Sequence, residues 1–117
     1  MGMYVHVVFG VMLTDDLGYS HSVSKQTQAF LEQLGDSHSN PNIVSFKTVD
    51  EPVHCVGVYI KGTDYGAMTS IPLANLSHNA SHWMNAFQQC LHNLPLEIQN
   101  DVAKLKLPAF HIIAGVN

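Results

Sequence analysis

Hydrophobic positions alternate with a two-residue period, or run unbroken, in four stretches of the chain, and recur at helical spacing in three others. Residues 3–13 are a long apolar run rich in Val, read as a strand. Residues 14–21 are polar and read as a loop. In 22–34, Val23, Thr27, Phe30 and Leu34 fall on one helical face, with Ser22 or Ser24 as the cap and Gly35 as the stop. Asn40-Pro41 marks a turn before a strand at 43–49. Asp50-Glu51-Pro52 is a tight connection, so the strand at 53–61 is expected to return antiparallel. Residues 62–78 read as a long loop. Trp83, Phe87, Cys90 and Leu94 then define a helix over 80–93. Pro95 suits the first turn of a short third helix carrying Ile98, Val102 and Leu105, and Pro108 introduces a last strand.

The order β-α-β-β-α-(α)-β predicts an α+β fold with the ferredoxin-like split βαβ order. The expectation is a four-stranded, mainly antiparallel sheet in the order 4-1-3-2, with the helices on one face. Strands 1 and 3 are expected as parallel neighbours. Residues 1–117 read as a single domain, and no repeat or linker divides them.

Alternation assigns faces. Val5, Val7, Phe9, Val11 and Leu13 face the helices; Tyr4, His6, Val8, Gly10 and Met12 face away. Phe110, Ile112, Ala114 and Val116 join the helix side, leaving His111, Ile113 and Gly115 outside. His54, Val56, Val58 and Ile60 also face the helices, with Cys55, Gly57 and Tyr59 outside. Three strands thus carry a histidine followed by a glycine: His6, His54 and His111. Parity puts His6 and His111 on one open face and sends His54 to the strand edge on the other. The three do not converge as metal ligands would.

Composition narrows the functional classes. Only 12% of residues are charged, and the net charge is −4 with histidines neutral. Five lysines and no arginine give no basic stripe, which argues against nucleic acid and anionic membranes as partners. A weakly charged surface favours self-association. Cys55 and Cys90 sit in apolar contexts and read as buried thiols. No run of 18 apolar residues and no leader pattern is seen, so a cytoplasmic location is the default. Met1-Gly2 before Met3 resembles a cloning remnant.

Four candidate sites follow. The first joins His6 and His111 with Tyr4, Tyr59 and Cys55, an acid/base pair in an apolar cleft or a set of hydrogen-bonded interface residues. The second is a rim where strands 1 and 3 would end together, bringing Asp15, Asp16, Tyr19 and His21 toward Asp64, Tyr65, His78 and His82. His78 and His82 stand at i, i+4, but ordinary turn and cap chemistry explains the same residues; neither metal nor cofactor is assigned. The third is the Gly/Thr/Ser stretch 62–70, a weak phosphate-nest pattern. The fourth is base stacking on Tyr4 and Tyr59, which the acidic balance opposes.

The reading that fits best is a small binding or regulatory protein. It would self-associate through its open sheet face as a homo-oligomer and take a small molecule or protein partner at the 62–82 rim. The alternative is a small dimeric α+β-barrel enzyme using His6 or His111 as acid/base. A third is an inhibitor that mimics a macromolecular surface. No motif supports a serine or cysteine nucleophile.

Overall fold

The computed structural model describes residues 3–15, 18–34, 40–46, 53–64, 80–105 and 107–116. In chain order the elements are β1 (Met3–Met12), β2 (Thr14–Asp15), β3 (Gly18–Tyr19), α1 (Lys25–Leu34), β4 (Ile43–Phe46), β5 (Val53–Asp64), α2 (Ala80–His92), α3 (Leu96–Lys104) and β6 (Ala109–Val116). The fold is α+β. Its main sheet has four strands in the order β4-β5-β1-β6, all neighbouring pairs antiparallel.

Strand directions correct one expectation. β1 and β5, the first and third strands of the sheet in sequence, are adjacent but antiparallel, with Tyr4 opposite Asp64 and Met12 opposite Cys55. The reason is geometric. β5 runs antiparallel to β4, and β4 runs in the same direction as β1, so β5 opposes β1 as well. The expected loop at 14–21 holds a two-stranded ribbon, β2 against β3. β5 continues to Asp64, past the point where the glycine at 62 suggested a loop.

The helices pack on one face of the sheet. Phe9, Val11, Leu13, Ile43 and Val56 from the strands meet Val23, Leu31, Phe87, Leu94, Ile98 and Val102 from the helices and their approaches. Burying side chains such as Leu13, Leu31 and Ile98 stabilises the fold by about 2–3 kcal/mol each. Leu31 belongs to this core although the helical-face reading passed it over; it lies eight residues after Val23 and one turn after Thr27. Ser24 caps α1, its hydroxyl accepting from the Thr27 amide at 3.2 Å. Asp101 of α3 then ties the two helices. Its Oδ2 accepts from the Ser24 amide (3.0 Å), the Ser24 hydroxyl (2.8 Å) and the Thr27 hydroxyl (2.6 Å).

The second face has its own cluster, built only from strands: Val8, Val44, Phe46 and Cys55, flanked by Met12, Val53 and Ile113. Val8 and Cys55 are both 0% exposed. Among the described residues, the side chains packed against them come from the sheet itself. Phe46 lies opposite Val53, and His6 lies opposite Gly62. Nine residues of β5 separate those positions, roughly 30 Å along a straight strand. Yet the rings of His6 and Phe46 stack with centroids 4.5 Å apart and planes 18° apart. The far half of β1, β5 and β6 therefore bends back over the near half.

Two devices make the bend. Gly10 stands opposite Gly57, and a Cβ on either would overlap the backbone of the other strand; Gly57 also has φ +154°, a conformation that side-chain-bearing residues rarely adopt. One step further, Val8 pairs with Tyr59 and Val7 with Lys61, so Ile60 is an extra residue on β5. Such a bulge bends a strand and adds twist.

Candidate functional site: a cavity in the fold of the sheet

Between the bent-over half and β4 lies a cavity of about 650 Å³. Its described walls are Ile43, Val44 and Phe46 of β4, Gly57, Val58 and Tyr59 of β5, His6 of β1, Cys90 of α2, and the approach residues Asn40 and Pro41. None of these carries a formal charge at neutral pH. Each wall follows from a local cause. β4 is only four residues long, so β5 runs on past it. The bend then brings His6 and Tyr59 down against Phe46.

The polar groups at the cavity are few and paired. His6 Nδ1 and the Tyr59 hydroxyl are 2.9 Å apart. With the imidazole proton on Nε2, the hydroxyl donates and Nδ1 accepts. The Tyr59 ring is also tilted against Phe46, centroids 6.3 Å apart. Gly62 leaves room for this pair: a Cβ there would overlap His6 Nδ1 and the Tyr59 hydroxyl. The Cys90 thiol donates to the Gly57 carbonyl over 3.7 Å, and burial pushes its pKa up. Cys55, fully buried in the strand cluster, is pushed up to about 12 by burial and by Cys90. Both cysteines are free thiols. Neither is a poised nucleophile, because the thiolate is disfavoured at both.

The sequence-derived candidates distribute as follows. His6 and Tyr59 are brought together; Cys55 packs in the strand cluster, fully buried, and is not among the cavity walls. His111 shares that face, with its Nε2 3.2 Å from the Gly10 carbonyl, at the crease. The Tyr4 backbone pairs with Gly115 and Asp64, and its side chain lies outside the described residues. His54 is on the helix side, as parity placed it, but buried between neighbours rather than at an edge. Its Nδ1 is 2.8 Å from the Ser45 hydroxyl, its amide donates to Thr14 Oγ1, and the Tyr19 ring lies parallel at 6.5 Å. Its Nε2 has no hydrogen-bond partner among the described residues, and burial lowers its pKa.

The strand ends do not bring the expected rim together, because β1 and β5 are antiparallel and end on opposite sides. Thr14–Tyr19 follow the end of β1 that lies beside the start of β5, whereas Asp64 sits at the other end, opposite Tyr4. Asp16, Tyr65 and His78 lie outside the described residues. His82 is exposed on α2, its ring edge-on to Trp83. Among the described residues, no group of three or more His, Cys, Asp or Glu is placed to hold a metal ion. Nor is any helix there long and apolar enough to cross a membrane.

The lining side chains that sequence reasoning missed are Asn40, Pro41, Ile43, Val44, Phe46, Val58 and Cys90. Only the pairing of Gly10 with Gly57 and Gly62 beside His6 signalled a bend there, and that required the register. Comparison of the chain with family models, with curated proteins and with solved structures gave no match.

Proposed function

We propose that this is a small-molecule binding protein whose ligand sits in the crook of the bent sheet. The observation that supports this reading is the cavity itself: about 650 Å³, within the range of ligand sites, walled mainly by apolar and aromatic side chains, with the His6–Tyr59 pair and Asn40 as its polar residues. The lining supplies no described charge to neutralise a phosphate or a quaternary ammonium. The ligand class is therefore compact, flat and uncharged, held by the rings of Phe46, His6 and Tyr59 and oriented by one hydrogen bond to the His6–Tyr59 pair. A regulatory role in the cytoplasm is the setting that a weakly charged chain with two free thiols suits. The fold reading that accompanies this is ferredoxin-like in strand order, with α3 added before the last strand; the order β4-β5-β1-β6 supports it, while the antiparallel pairing of β1 with β5 departs from the parallel neighbours expected from the sequence.

The test uses 1-naphthol as a probe, titrated into isotope-labelled protein and followed by amide NMR. Shifts are expected at Val44, Phe46, Val58 and Tyr59, saturating at one equivalent. Phe46→Ala should weaken binding about tenfold, the equivalent of roughly 1.4 kcal/mol. Shifts scattered over the surface, or none at millimolar probe, would refute the reading.

The 2.9 Å contact between His6 and Tyr59 favours a second reading, in which the same cavity hosts acid/base chemistry. His6→Gln would then abolish turnover while leaving probe binding in place; equal loss of both would return the pair to a binding role.

A further inference from the structure

The sheet ends on β6, and among the described residues no strand lies along its outer edge. Such an edge presents a row of unpaired N–H and C=O groups, which proteins ordinarily blunt with charge, proline, bulges or brevity. β6 has none of these. It reads Ala-Phe-His-Ile-Ile-Ala-Gly-Val, eight residues with no charge and no proline. Its ladder with β1 runs without a register shift from Met3–Val116 to Gly10–Ala109. The opposite edge of the sheet, β4, is four residues long. On the helix side of β6, Phe110 packs against the core, whereas Ile112 is 73% exposed. Val5, across β1 from Ala114, is 36% exposed and extends the same apolar patch.

We propose that β6 pairs antiparallel with β6 of a second copy of this chain, about a two-fold axis at Ile112, joining two four-stranded sheets into one. The self-pairing register is complementary in size and in charge. With Ile112 on the axis, Ile112 meets its own counterpart, His111 faces Ile113, and Phe110 faces Ala114, a large residue against a small one. No charged residue lies between Leu107 and Val116, so two copies meet without repulsion. A foreign peptide would need a charge or a side-chain pocket along β6 to be selected, and the described residues supply neither. The contact is isologous, so it closes at two copies. Eight residues a side gives a small interface, roughly 1,000 Å² in total, which places the affinity on the order of micromolar.

Sedimentation velocity from micromolar to near-millimolar protein should show a monomer–dimer equilibrium. Ile112→Lys, at a position exposed in the single chain, should leave the circular dichroism spectrum unchanged and shift the protein to monomer. In a Cys90→Ser background, Ile112→Cys should cross-link to a dimer under mild oxidation, because opposed residues of an antiparallel pair lie about 5 Å apart, within disulfide reach. Ala103→Cys, exposed on α3, should not. The proposal is overturned by a monomer at every concentration, by Ile112→Cys failing to cross-link, or by growth beyond dimers. None of these outcomes bears on the cavity at the other side of the sheet.

Discussion

His54 places an ionisable ring where burial favours its neutral form. Its environment offers the Ser45 hydroxyl on one side and the face of Tyr19 on another, with no carboxylate among the contacts described. Burial lowers its folded-state pKa, so the unfolded chain takes up the proton first. The stabilising effect is complete above the unfolded value of about 6.5 and declines as pH falls below it, toward the depressed folded value. The urea midpoint should therefore drop between pH 7.5 and 5.5, and His54→Gln should flatten that drop. Equal slopes in the two proteins would show that another group is responsible. At the same scale, Cys55 is 0% exposed with a pKa near 12 and Cys90 is half-buried. A native-state thiol titration should label Cys90 slowly and Cys55 only on unfolding.

At the scale of the element, the crease in β1 and β5 decides what the protein can do. Gly57→Ala would force a side chain into a left-handed conformation against the Phe9 carbonyl, at a cost of about 1–3 kcal/mol. Thermal denaturation reads that loss, and the naphthol probe should lose its site in the same variant. Gly62→Ala is the sharper test, since the added methyl would overlap only the His6–Tyr59 pair; it should weaken probe binding with a smaller loss of stability. An unchanged affinity in Gly62→Ala would separate the pair from the site. Much of this element was legible in the chain: periodicity located β1, β5 and β6, and parity put Val8, Cys55 and Ile113 on the face opposite the helices. The bend was not, because it depends on Gly10 meeting Gly57 across strands 47 residues apart, and on Ile60 being one residue too many for its partner. Local pattern carries no register. The direction of β5 was misread for a related reason: nothing in an apolar run says which way its neighbour points.

Across the whole molecule, α1 and α3 are held together by Asp101 and three donors from Ser24 and Thr27. Burial alone would raise the Asp101 pKa, but the hydrogen bonds from Thr27 and Ser24, with Lys104 nearby, outweigh it and lower the value. Its contribution is thus present above the unfolded pKa of about 3.9 and is lost as pH falls through the lower folded value. Asp101→Ala should cost about 3 kcal/mol at neutral pH, leaving the buried Thr27 hydroxyl without its acceptor, and the deficit should shrink in strong acid. Chemical denaturation at two pH values measures both.

The sheet's pairing also sets a timetable. β1 is central, yet both strands that flank it come later in the chain: Met12 meets Cys55, and Gly10 meets Ala109 almost a hundred residues on. During synthesis the middle of the sheet is made before either side of it. An apolar strand must therefore wait, uncovered, for most of the domain to emerge. Contacts so distant in sequence are slow to form, so refolding should be slow for a domain of this size, and a nascent chain stalled before residue 109 should be the form that chaperones hold.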